Sequence, residues 1–388
     1  MIVGRAADPR GPRFRKESDL QSTTVRTCHL KQELLGFFLL AFAAVLPGIV
    51  HADGDPCIDN AVLGITPLTD MAPSSTYQGF AGGLYPNGNS PPEAWRAAAL
   101  ARAQEIQPLG PDGGPDPENG RIVLLSIGMS NTTQEYSNFV SKAATDPRRD
   151  ARVYTVDGAQ GGKDAPQRVD PDAATWGVAI ARLGDTVHGG APGTTSAQVQ
   201  AIWLLQAIKR PRDLPGTQSQ FPGHAQLLQA DLGRIVRSAL SNFPNLRLVF
   251  LSSRTRAYVV TRPPPASALE NPEPYAFESG FSVKWLIDDQ IAGDPKLNYD
   301  PTMGPVRAPL LVWGPYIWAD GTMPRQDGFT WLCSETRSPP NPNPDYTHPS
   351  PQGQDKIGSI LLDYFVNNEF ARPWFVADPL FADGFETP

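Results

Sequence analysis

Histidine and cysteine are both scarce in this chain. Five histidines, at positions 29, 51, 188, 224 and 348, and three cysteines are spread over 388 residues. No Cys-x-x-Cys pair occurs, and no His, Cys or carboxylate cluster has metal-ligand spacing, so neither a metal site nor a metal cofactor is expected. Basic charge is in deficit as well. Of the 33 basic and 40 acidic residues, 7 and 4 fall in residues 1–52, so the remainder carries a net charge of −10. That acidity argues against nucleic acid and against anionic membrane surfaces as partners.

Long apolar runs are also lacking, with one exception. Residues 34–50, "LLGFFLLAFAAVLPGIV", follow Arg26 and Lys31 and lead into "VHA" at 50–52. A basic flank, an apolar run and small residues before a break read as a secretory signal peptide. A transmembrane anchor is the competing reading, weakened by Pro47 and Gly48 inside the run. Residues 1–52 are therefore expected to be leader and signal peptide, the chain to be secreted or periplasmic, and no stable membrane insertion to persist after cleavage. Cys28 would leave with the leader. Cys57 and Cys333 would remain in an oxidising compartment, where a disulfide between them is expected and two buried free thiols are the alternative.

Proline and glycine punctuate the rest. Residues 53–120 form a Pro/Gly-rich extension with one helical run, 91–106. From 121 the texture changes. Five short apolar runs, 121–127, 152–156, 200–205, 246–252 and 309–313, read as buried parallel strands. Helical stretches at 171–183, 224–243 and 281–291 lie between them. A last helix is expected after Ser350 as N-cap and Pro351 at the first helical position. Strands alternating with helices predict an α/β fold with a mainly parallel sheet covered on both faces. Ligands bind such sheets beyond the carboxyl ends of the strands.

The residues at those ends carry the chemistry. "GMSNTT" follows the first run and sets Ser130 two places after Gly128; alone, such a serine is more often a helix cap than a nucleophile. "DGAQGGKDA" follows the second run, and its glycines would leave backbone N–H groups open to a developing oxyanion. "PDYTHPSPQG", 344–353, sets Asp345 three residues before His348, so that a carboxylate can hold one imidazole nitrogen while the other faces a serine.

Together these stretches resemble the SGNH hydrolases, the GDSL-like esterases and lipases, over about residues 121–370. The resemblance implies a flavodoxin-like three-layer α/β/α fold and a catalytic set of Ser130, Asp345 and His348. It also implies an oxyanion hole from Ser130, Gly161 (or Gly162) and a side-chain amide. Met129 stands where the family usually has Asp. The family's G-x-N-D is absent after the third strand, where Gln206 is the candidate donor. Trp313, Tyr316 and Trp318 are candidates for a sugar-stacking wall, with core packing the other reading. Arg254 or Arg256, after the fourth strand, is a candidate cation for an acidic substrate or a structurally paired arginine. The sequon at 131–133 adjoins Ser130, and a glycan there is incompatible with this reading. The tail, 371–388, ends in "DPLFADGFETP", which resembles a short C-terminal tag on secreted proteins of some Gram-negative bacteria.

The expected function is a secreted serine esterase that needs no cofactor and acts on a small-molecule or polysaccharide ester, with O-acetyl or other O-acyl carbohydrate preferred. A weakly active or inactive carbohydrate-binding protein on the same fold, and a sugar O-acyltransferase, are the alternatives.

Overall fold

The computed structural model describes residues 62–72, 74–258 and 271–377. The expected leader, Cys57 and the C-terminal tag lie outside the described residues. A short hairpin, β1 (Thr76–Tyr77) and β2 (Phe80–Ala81), and helix α1 (Glu93–Gln104) come first. There follow β3 (Ile122–Gly128), α2 (Ser130–Thr145), β4 (Val153–Asp157), α3 (Ala174–Arg182), β5 (Val199–Leu205) and α4 (Gly223–Asn242). The chain continues through β6 (Leu248–Ser252), α5 (Tyr275–Ile291), β7 (Leu310–Trp313), α6 (Pro351–Asn367) and α7 (Arg372–Phe375).

The five apolar runs become one five-stranded sheet in the order β4-β3-β5-β6-β7, with every neighbouring pair parallel. Counted along the chain, this is the doubly wound order 2-1-3-4-5 of flavodoxin-like folds. Every residue of β3, β5, β6 and β7 is buried, which requires cover on both faces. Helices α2, α6, α7 and α1 pack in succession, and α4 packs on α5. The fold is α/β, consistent with three layers. Strand order reverses between β3 and β5, so the crevice for a ligand lies at their carboxyl ends.

The Pro/Gly-rich extension is strapped onto this core. Leu68 is fully buried, and the N–H groups of Leu63, Gly64 and Ile65 donate to the Asp320 carboxylate at 2.9, 2.8 and 3.1 Å. Trp95 Nε1 donates to the Leu311 carbonyl of β7. One helix departs from expectation: α5 starts at Tyr275, directly after Pro274, rather than at 281.

Candidate active site

β3 ends at Gly128, Met129 keeps an extended backbone, and Ser130 opens α2. A Cβ at Gly128 would collide with the Leu205 carbonyl and with Thr132, whose hydroxyl donates to that same carbonyl at 2.8 Å. The strand exit is therefore clamped between β5 and α2, and Ser130 is held at the carboxyl edge of the sheet.

His348 reaches it from the far end of the chain. Asp345 Oδ1 accepts the N–H groups of Thr347 at 3.0 Å and His348 at 2.8 Å, a local turn that aspartate forms readily. Tyr346 within it takes φ +55°, in the left-handed region. Arg337 braces the turn: its N–H donates to the His348 carbonyl, and its carbonyl accepts from Asp345 and Tyr346. Asn131 Nδ2 donates to the Thr347 carbonyl at 2.9 Å, tying the start of α2 to this loop. Beyond it, Ser350 Oγ accepts the Gly353 N–H and Pro351 opens α6.

The structure brings Ser130, Asp345 and His348 together. Ser130 Oγ lies 2.6 Å from His348 Nε2, and His348 Nδ1 lies 2.9 Å from Asp345 Oδ2. Burial acts to raise the Asp345 pKa, but the His348 ring and the two backbone N–H groups outweigh it and hold the carboxyl below the ordinary carboxylate range. An ionised Asp345 fixes the imidazole tautomer with a proton on Nδ1, leaving Nε2 to accept the serine proton.

The glycine loop after β4 stands beside this set. Gln160 N–H donates to the Gly128 carbonyl at 3.0 Å, and the loop turns through Gly161 and Gly162, closed by Lys163 N–H on the Gln160 carbonyl. A Cβ on Gly161 would sit 3.8 Å from Ser130 Cβ. Gly162, at φ +73°, lines a cavity of about 20 Å³ shared with Ser130 and His348. Both glycines thus adjoin Ser130. Arg168, fully buried, backs the loop with Nη2 donating to the carbonyls of Gly128 and Gly158.

The Gln206 side chain braces the glycine loop. Its Nε2 donates to the Lys163 carbonyl at 3.0 Å and its Oε1 accepts the Ala207 N–H, which uses one of the two Nε2 protons. The aromatic wall is not formed. Trp313, Tyr316 and Trp318 are 4%, 6% and 0% exposed. Trp313 Nε1 donates to the Leu84 carbonyl, Tyr316 Oη accepts the Leu68 N–H and Trp318 Nε1 donates to Glu273. The extension and α5 cover these rings, contacts that span more than two hundred positions in the case of Leu84 and Leu68.

Of the two arginines, Arg254 lines the cavity beside Ser130 and Lys209, whereas Arg256 is paired with Asp320 at 2.7 Å and lies over the Tyr258 ring. Asn131, in the sequon, is buried and engaged on Thr347. Sequence reasoning missed that anchoring role, and missed Lys209, Asn271 and Thr347 in the cavity wall. It also missed Glu135, one turn along α2 from Asn131, whose buried carboxyl is pushed up to about 8 by desolvation, against the opposing charge of Arg254. Among the described residues no cluster of His, Cys, Asp and Glu could hold a metal, and no helix is long and apolar enough to cross a membrane.

No family model matches the chain, and no curated protein matches it. Among solved structures, a salicylyl-acyltransferase, SsfX3, from a tetracycline biosynthetic pathway aligns with a TM-score of 0.31 and 13% sequence identity, covering 65% of this chain and 56% of that one. The chain thus matches little more than half the length of that structure.

Proposed function

We propose that this chain is a secreted serine esterase of the SGNH type, with O-acyl, above all O-acetyl, carbohydrate as its preferred substrate class. The observation that carries the reading is the continuous relay from Ser130 Oγ through His348 to Asp345. In the mechanism, Ser130 attacks the ester carbonyl as His348 Nε2 takes its proton. The resulting imidazolium is stabilised by Asp345 and returns the proton to the departing alkoxide. Water then attacks the carbonyl of the acyl-Ser130 ester as His348 takes its proton, and the Ser130–acyl bond breaks with that proton passing to Ser130 Oγ, which releases the acid and restores the enzyme. The N–H groups of Ser130 and of the Gly161–Gly162 turn are the donors proposed for the tetrahedral oxyanion. No step calls for a cofactor.

The preference for a small acyl group rests on the resemblance. The carbohydrate preference rests on the resemblance and on the polar lining of that cavity, since the aromatic wall is absent. Secretion rests on the pattern at 34–52, and the Cys57–Cys333 bridge on the cysteines that remain after cleavage. An N-terminus near Asp53 and a non-reduced peptide linking Cys57 to Cys333 in exported protein are the expected results, whereas two freely alkylated cysteines would refute the bridge.

Hydrolysis of p-nitrophenyl acetate tests the enzyme reading against an inactive binder. Turnover that disappears in Ser130→Ala supports it, and absence of turnover in the wild type contradicts it. The same assay with a sugar acceptor separates the remaining alternative, because accumulation of acylated sugar in place of free acetate would make the chain a transferase.

A further inference from the structure

Two polar side-chain atoms beside the relay are buried without a hydrogen-bond partner: Asn271 Oδ1 and Thr347 Oγ1. Each residue is 3% exposed, and both line the cavity of about 20 Å³ that Ser130 and His348 share. Neither is there by slack packing. Asn271 Nδ2 donates to the Ile208 carbonyl at 3.0 Å, which fixes the amide and leaves its oxygen as an acceptor. Thr347 is held at its N–H by Asp345 and at its carbonyl by Asn131, which anchors its backbone at the cavity, and its hydroxyl can both donate and accept. Buried polar groups are nearly always paired, and an unpaired pair in one small cavity beside a nucleophile calls for a partner.

The size of the cavity limits that partner. Space of this order admits one water-sized polar group, and an alkyl chain does not fit. We infer that the cavity is a subsite for a single hydroxyl of the substrate, carried either on the second carbon of the alcohol part or on the α-carbon of the acyl part. The hydroxyl donates to Asn271 Oδ1 and accepts from Thr347 Oγ1. On the alcohol side such a substrate is the monoacyl ester of a vicinal diol, the arrangement in a partly acylated sugar or polyol. On the acyl side it is an α-hydroxy acid ester. The inference rests on the proposed ester chemistry at Ser130 and adds what that chemistry selects. A site built to hydrogen-bond a substrate hydroxyl discriminates strongly against an analogue that lacks it, because its own polar groups are then left unpaired.

The test compares kcat/KM for two isosteric pairs: ethylene glycol monoacetate against propyl acetate, and ethyl glycolate against ethyl propionate. The wild type should favour the hydroxylated member of one pair by roughly 10- to 100-fold, and which pair shows the preference identifies the side that enters the cavity. Thr347→Val removes the hydroxyl while keeping the shape, and should cut the preference by about tenfold. Thr347→Ser should restore it, which a purely structural role for Thr347 does not predict. Hydrolysis of both pairs without preference would overturn the subsite and leave the Ser130 chemistry standing. A preference unchanged in Thr347→Val would overturn it equally. No hydrolysis of any of the four esters, with no serine-probe label on Ser130, would remove both readings.

Discussion

His348 Nε2 meets Ser130 Oγ at 2.6 Å across 218 positions of sequence, whereas the carboxylate that orients His348 is only three residues away. His348 and Asp345 form a local unit, built by a turn that Asp345 itself caps. Ser130 is delivered separately, by a strand exit pinched at Gly128. Each half can therefore be disturbed without unfolding the other.

Asp345→Asn should separate orientation from folding. The amide keeps an oxygen for the N–H groups of Thr347 and His348 but can place NH₂ against Nδ1 and favour the wrong imidazole tautomer, so kcat should fall by about 10⁴ with little loss of helix content. Steady-state kinetics with circular dichroism checks this. A loss smaller than tenfold would mean that the pair is only a polar turn.

Asp345 also bears on acid stability. Its pKa is lowered in the folded state, so its contribution is present above the unfolded carboxylate value and is lost as pH falls through the folded one. The Tm gap between wild type and Asp345→Asn should therefore narrow progressively on acidification below about pH 4.

Glu135 works in the opposite direction. Desolvation pushes it up to about 8, with Arg254 opposing, so the folded state binds a proton that the unfolded state releases between about pH 4.5 and 8. Its contribution to stability is full below that window and is lost as pH rises through it. Relative to wild type, Glu135→Gln should gain Tm at pH 8 compared with pH 5. A pH-independent difference would show that Glu135 titrates as an exposed carboxylate does.

Gln206→Ala tests the role given to that amide. Loss of its support for the Lys163 carbonyl should cost about 1–3 kcal/mol in stability and lower kcat only through the loosened glycine loop. A hundredfold or greater fall in kcat with Tm unchanged would instead mark Gln206 as a direct oxyanion donor.

Much of this was legible in the sequence, for physical reasons. The five strands are continuous apolar runs that only a doubly covered parallel sheet can bury, and Ser350 with Pro351 marks the start of α6 unambiguously. The Asp345–His348 relation is local, so spacing alone suggested it. What spacing could not supply was pairing across the chain. Gln206 could be named as an amide after β5, but its commitment to Lys163 depends on where the β4 loop passes. The rings at 313–318 follow the last strand as a binding wall would, yet the extension folds back over them through Leu68 and Leu84. Asn131 read as a sequon because nothing local announces that the Thr347 carbonyl arrives beside it.

The proposed chemistry stands or falls with Ser130 as an activated nucleophile. Mass spectrometry of protein treated with a fluorophosphonate probe measures this directly, since only a serine with a working base attacks such a reagent at a useful rate. One stoichiometric adduct is expected on the peptide containing Ser130, lost in Ser130→Ala and strongly slowed in His348→Ala. Labelling that persists in Ser130→Ala, or an unlabelled wild type that still hydrolyses p-nitrophenyl acetate, would contradict it.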